Sequence, residues 1–140
     1  MALDYGTKRV GVAISDQGRM LASARGTIPN DQNLIRTIVA LVQAESVRTV
    51  LLGIPRTLKN TESAMTSEVL KFRKRLQAAL DPIGVAVVAR DERLTSIIAG
   101  TNIAERGMSK SRREQKGLHD EEAARIILQE YLDSSGNRAL

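Results

Sequence analysis

Cysteine is missing from the whole 140-residue chain. Its absence removes disulfides, thiolate nucleophiles and cysteine zinc sites together, and it suits a reducing compartment. Aromatic residues are almost as scarce: Tyr5, Phe72 and Tyr131 make up 2% of the chain, and there is no tryptophan. A protein this poor in rings does not read bases by stacking them on aromatic platforms, and its core has to be assembled from Val, Ile, Leu, Ala and Met. No apolar run approaches the roughly 20 residues that span a bilayer. Nor is there a signal-like start, since Asp4 follows Met1 almost directly. A soluble, cytoplasmic protein with no membrane partner is expected.

What is present suits one folded domain. At this length roughly two thirds of the unfolded surface can be buried, and 42% of the residues are hydrophobic. No repeat, low-complexity tract or interdomain linker interrupts residues 1–140. Lysine and arginine number 21 against 16 acids, for a net charge of +5 and a pI near 10.0. A basic excess of this size favours a polyanionic partner, and its placement along the chain matters more than its amount.

The stretch from Leu3 to Ile14 reads as a strand ending in a carboxylate, a glycine-containing turn, and a returning strand in which Val10, Val12 and Ile14 alternate with Gly11 and Ala13. The turn signal Asp16-Gln17-Gly18-Arg19 leads to a third strand around Leu21 to Ile28. Asn30 or Asp31 is positioned to cap a helix whose Leu34, Ile35, Ile38, Val39 and Val42 repeat at helical spacing. The continuous apolar run Thr49 to Pro55 predicts a strand covered on both faces. Met65, Val69, Phe72, Leu76 and Leu80 mark a second helix, ended by Asp81-Pro82 and Gly84. Val85 to Ala89 predicts a fifth, buried strand, and Thr95 or Ser96 a helix to about Glu105. Residues 106–118, polar and basic without apolar period, read as a loop. The last helix is expected from about His119 to Leu132, with a frayed tail from about 134 to 140. Three hairpin-linked strands followed by alternating helices and strands imply an α/β fold: a five-stranded mixed sheet with helices on both faces.

Three acids stand out. Asp4 sits inside the first strand pair, where a buried carboxylate is costly unless a cation, donor or metal satisfies it. Glu92 follows directly on the fifth strand, at the rim where ligands gather in a parallel sheet. Asp120 reaches that rim if the last helix packs across the sheet. Three carboxylates with no nucleophilic Ser or Cys arrangement suit a hard divalent cation, and such ions support phosphodiester cleavage. Each acid also has an ordinary alternative. Asp4 can be a turn aspartate bonded to its own backbone, Asp91-Glu92-Arg93 a solvated turn with an ion pair, and Asp120, Glu121 and Glu122 acids that favour a helix N-terminus. Asp16 reads as a turn residue, and the lone His119 as solvated or as a proton donor beside Asp120.

The residues Asp4 to Ala13 with Ser15-Asp16, then Gly53-Ile54-Pro55, Asp91 to Thr95, and His119-Asp120 ahead of Ala123-Ala124 and Ile127 to Asp133, together resemble the YqgF family, also called RuvX. The resemblance covers nearly the whole chain in order. It implies a ribonuclease H-like fold related to the Holliday junction resolvases, and a cytoplasmic nuclease that matures the 5′ end of pre-16S ribosomal RNA, with junction resolution in some members. It also implies that Asp4, Glu92 and Asp120 are the catalytic carboxylates. Two departures from the usual pattern are visible. A Gly-Thr-Glu step reads Asn60-Thr61-Glu62 here, asparagine being the residue that next most readily takes glycine's left-handed conformation. The second acid follows the fifth strand instead of the fourth, so if the fourth lies between the first and fifth, Asp4 and Glu92 start two strand spacings apart, roughly 10 Å.

Charge placement completes the expectation. Arg106, Lys110, Arg112, Arg113 and Lys116 crowd the segment before Asp120, where they can hold a phosphate backbone or simply be solvated. Arg93 flanks Glu92, Lys8 and Arg9 flank Asp4, and the backbone amides of Gly6 and Thr7 can approach a phosphate. The first function this supports is a Mg2+- or Mn2+-dependent endonuclease acting on precursor ribosomal RNA, alone or with ribosomal subunit precursors. The second keeps the chemistry but takes branched, four-way DNA, which calls for a homodimer instead of a monomer. A third is an RNA-binding assembly factor that does not cut. An ATPase related to the actin and sugar-kinase group ranks last, because that group needs two large lobes.

Overall fold

The computed structural model describes residues 1–54, 64–91 and 112–136. Strands β1 (Ala2–Tyr5), β2 (Arg9–Ser15) and β3 (Ala22–Pro29) form an antiparallel meander. Helix α1 (Leu34–Ala44) leads to β4 (Thr49–Ile54), α2 (Ala64–Leu80) precedes β5 (Ala86–Asp91), and α3 (Arg112–Gly136) is last. The strand order is β3-β2-β1-β4-β5, with β4 parallel to both β1 and β5. Connections of a few residues allow only antiparallel pairing in the meander, whereas β4 and β5 are each reached through a helix and so return parallel. This is the mixed sheet that the sequence pattern predicts, and β4 does separate β1 from β5.

Alternation along the strands sends two different sets of side chains to the two faces. Leu3, Val10, Val12 and Ile14 pack with Ile38 and Val42 of α1 and with Phe72 and Leu76 of α2. The opposite face presents Ala2, Ala13, Ala22 and Leu51 to Ala124, Ile127 and Leu128 of α3. Helices therefore cover both faces, with long aliphatic side chains under α1 and α2 but mostly alanine under α3. Small residues let that helix lie close to the strands. It crosses β1, β2 and β3 and barely reaches β4.

Four expectations need correction. β5 is not buried on both faces: it is the edge strand, α3 stops short of it, and Ala86 and Val88 remain exposed. Arg90 bridges the gap, its guanidinium 5.8 Å from the centre of the Tyr131 ring. The outer edge of β5 is covered from α2, where the Gln77 amide accepts from the Val87 N–H at 2.8 Å and donates to the Val85 carbonyl at 3.2 Å; one side chain takes the place of a neighbouring strand. α3 begins at Arg112 and runs to Gly136, so residues 112–118 are helix and not part of a loop, and residues 134–136 are helix and not tail. Finally, neither Asn30 nor Asp31 caps α1. Asp31 accepts from the Asn33 N–H at 2.9 Å, an Asx turn that brings the chain to Leu34. Gly84, at φ +73°, ends the short 3-10 turn after α2, as its position suggests. The Asn60-Thr61-Glu62 step and the helix expected to about Glu105 lie outside the described residues.

Candidate active site

Asp4 is the third residue of β1, with Gly11 of β2 and Gly53 of β4 as its ladder partners. Leu3 packs toward α1 and α2 and Ala2 toward α3, so alternation turns Asp4 toward α3. Both flanking positions are glycine, so neither ladder partner sets a side chain beside the carboxylate. Asp4 is only 6% exposed. Asp4 lies on a buried strand in the middle of the sheet and not in an exposed turn.

Asp120 comes to the same place from the other layer. It is 8% exposed and lies about two turns inside α3, so it is not an acid drawn to a helix N-terminus. A Cβ built on Gly11 would overlap the carbonyl of Asp120 and come within 2.8 Å of the Glu121 nitrogen. Helix backbone and strand backbone are thus in direct contact opposite Asp4. A Cβ on Gly6 would lie 3.8 Å from Asp120 Oδ2, so that carboxylate points toward the turn that follows β1. The structure brings Asp4 and Asp120 to one end of one face.

Two other acids have partners of their own. Glu122 receives two hydrogen bonds from Arg125, at 2.6 and 3.1 Å, and this partner raises the pKa of the guanidinium. Asp16 accepts from the Met20 and Leu21 N–H groups in the turn between β2 and β3, and those bonds hold its carboxyl below the ordinary range. It is the turn residue that the sequence predicts.

Of the other expected site residues, Gly6 and Arg9 are half-buried and Thr7 and Lys8 exposed, all at the end of the sheet where Asp4 lies. Arg112, Arg113 and Lys116 occupy the first two turns of α3, ahead of Asp120. His119 is the residue before Asp120 on that helix. Glu92, Arg93 and Lys110 lie outside the described residues; Glu92 directly follows the last residue of β5. Two residues that bear on the site were not singled out for it from sequence: Gly11, which seats the helix, and Asn30, whose side chain donates to the Gly6 carbonyl at 2.7 Å. A glycine inside an apolar strand is itself a sign of close backbone approach.

Asp4 and Asp120 offer carboxylate oxygen, which fits a hard divalent cation better than a soft one. Among the described residues no three potential ligands gather.

The chain is similar to proteins already known. A family model described as RuvX, Holliday junction resolvase, matches residues 1–134. A Bacteroides fragilis protein named "Putative pre-16S rRNA nuclease" is 37% identical over 134 residues, covering 96% of this chain and 95% of its own. A Salinibacter ruber protein of the same name is 38% identical over 136 residues, covering 97% and 93%. Among solved structures, Thermus thermophilus RuvC superposes with a TM-score of 0.56 at 14% identity, covering 96% of this chain and 94% of that one. That likeness shows the ribonuclease H-like fold expected from the sequence.

Proposed function

The chain belongs to the RuvX family, and from that membership we propose that it is a divalent-metal-dependent endonuclease that cleaves precursor 16S ribosomal RNA in 5′-end maturation. The nuclease naming of its relatives supports hydrolysis of nucleic acid. The observation that carries the chemistry is the convergence of two buried carboxylates, Asp4 and Asp120, from a central strand and an overlying helix.

In this reading Asp4 and Asp120 hold Mg2+ or Mn2+, with Glu92 as the third acid on the strength of the family motif. When bound, the ion supplies an activated water and stabilises the leaving oxygen. The chain's own part is to fix the carboxylates on rigid elements and to orient the phosphate. Lys8, Arg9 and the amides of Gly6 and Thr7 lie at the rim for that purpose. Arg93, Lys110, Arg112, Arg113 and Lys116 hold the substrate backbone, a contribution that weakens steeply with salt. Among the described residues no helix is long and apolar enough to cross a membrane, in keeping with work in the cytoplasm.

The family description and the RuvC likeness favour a second reading, a homodimer acting on four-way DNA with the same site. Cleavage of a labelled pre-16S 5′ segment and of a labelled four-way junction, by the wild type and by Asp4→Asn, decides between them. Cleavage of the RNA that is lost in Asp4→Asn supports the first reading, and cleavage of the junction alone the second. RNA binding with no cleavage of either substrate would make the protein an assembly factor.

A further inference from the structure

Gly11 carries no side chain, yet it lies where strand β2 and helix α3 meet beside Asp4 and Asp120. It is the ladder partner of Asp4 on β2. It faces α3, and a Cβ there would overlap the carbonyl carbon and oxygen of Asp120 and approach the Glu121 nitrogen to 2.8 Å. Its φ is not in the left-handed region, so conformational freedom does not account for glycine at this position. What matters is the missing side chain. The obstacle it would meet is helix backbone, which has no rotamer with which to move aside.

The rest of the seam acts the same way to a lesser degree. Ala2, Ala13 and Ala22 on the sheet meet Ala124, one turn after Asp120. Nine residues after Asp120, Gln129 ties the helix to the sheet at the far end, accepting from the Ala22 N–H at 2.9 Å and donating to the Met20 carbonyl at 3.0 Å. With that end fixed, a side chain at position 11 would lift the Asp120 end.

We propose that Gly11 is a positioning residue that sets the separation of the Asp4 and Asp120 carboxylates, and through it the affinity of the pair for a divalent cation. The proposal rests on the metal-nuclease reading above. Gly11 spaces the acids by letting strand and helix backbones touch, and a methyl group there opens the pair.

The test is Mn2+ binding by electron paramagnetic resonance, with cleavage kinetics alongside, on the full chain as wild type, Gly11→Ala, Asp4→Asn and Leu128→Ala. Leu128 is buried under the same helix but away from Asp120, so Leu128→Ala lowers stability without opening the pair. Gly11→Ala is expected to weaken Mn2+ binding at least ~10-fold and kcat ~100-fold with little change in KM, while Leu128→Ala keeps both near wild type. A folded Gly11→Ala that binds Mn2+ like the wild type, when Asp4→Asn does not, overturns the positioning role and leaves the nuclease reading intact. Wild type and Asp4→Asn that bind Mn2+ alike overturn the metal-site reading and this proposal with it. If Gly11→Ala does not fold, Ala124→Val crowds the same helix one turn further on, and wild-type Mn2+ affinity in that variant overturns the proposal.

Discussion

The side-chain amide of Asn30 donates a 2.7 Å hydrogen bond to the carbonyl of Gly6, and the Asn30 N–H donates to the Lys8 carbonyl at 3.0 Å. The chain leaving β3 therefore clamps the turn between β1 and β2. That turn carries the backbone away from Asp4 and lies against the Asp120 carboxylate.

Asn30→Ala removes the side-chain bond and leaves the Gly6 carbonyl without it. The expected cost is about 1 kcal/mol, read as a lower urea midpoint with an unchanged m-value. Cleavage should slow several-fold while substrate binding is retained, because the turn loosens beside the acids without losing a cation. An unchanged midpoint would mean that the turn is held by other contacts.

The role of Asn30 shows where the sequence could be read and where it could not. Alternation, continuous apolar runs and helical periodicity located the five described strands and the first two helices, because burial leaves its mark in the pattern. The start of α3 left no such mark. Arg112, Arg113, Glu114, Gln115 and Lys116 have no apolar period, and periodicity reports burial rather than helicity. Their helix propensity, high for every one of them, was the available signal. Asn30 and Asp31 looked like caps because cap and turn use the same short polar side chains. Which carbonyl Asn30 meets depends on how the meander folds back, a long-range fact. Asp4 and Asp120 were readable as candidates by residue type and motif, but their convergence depends on Gly11 and on α3 crossing the sheet, and the position of Glu92 lies outside the described residues.

Asp16 makes the pH dependence of the β2–β3 turn predictable. Its carboxyl lies below the ordinary value because the Met20 and Leu21 N–H groups donate to the charged form. A carboxylate depressed by folding stabilises the fold above its unfolded pKa, near 4, and loses that contribution as pH falls through the lower folded value. The difference in melting temperature between wild type and Asp16→Ala should therefore be constant from neutral pH to about pH 5 and narrow below about pH 4. A difference that persists unchanged well below that window would show that the charge of Asp16 is not what holds the turn.

The claim that Asp4 and Asp120 form one metal-dependent nuclease centre is tested most directly through Asp120, the acid supplied by the helix. Single-turnover cleavage of a labelled pre-16S 5′ segment is compared for wild type and Asp120→Asn across Mg2+ and Mn2+ concentrations, with circular dichroism to establish that both are folded. The account predicts that the folded Asp120→Asn variant still binds the RNA but cuts it at least ~100-fold more slowly, as Asp4→Asn does, a loss within the range of other single groups that stabilise transition-state charge. Wild-type cleavage rates in folded Asp120→Asn would contradict the account and place the chemistry elsewhere on the molecule.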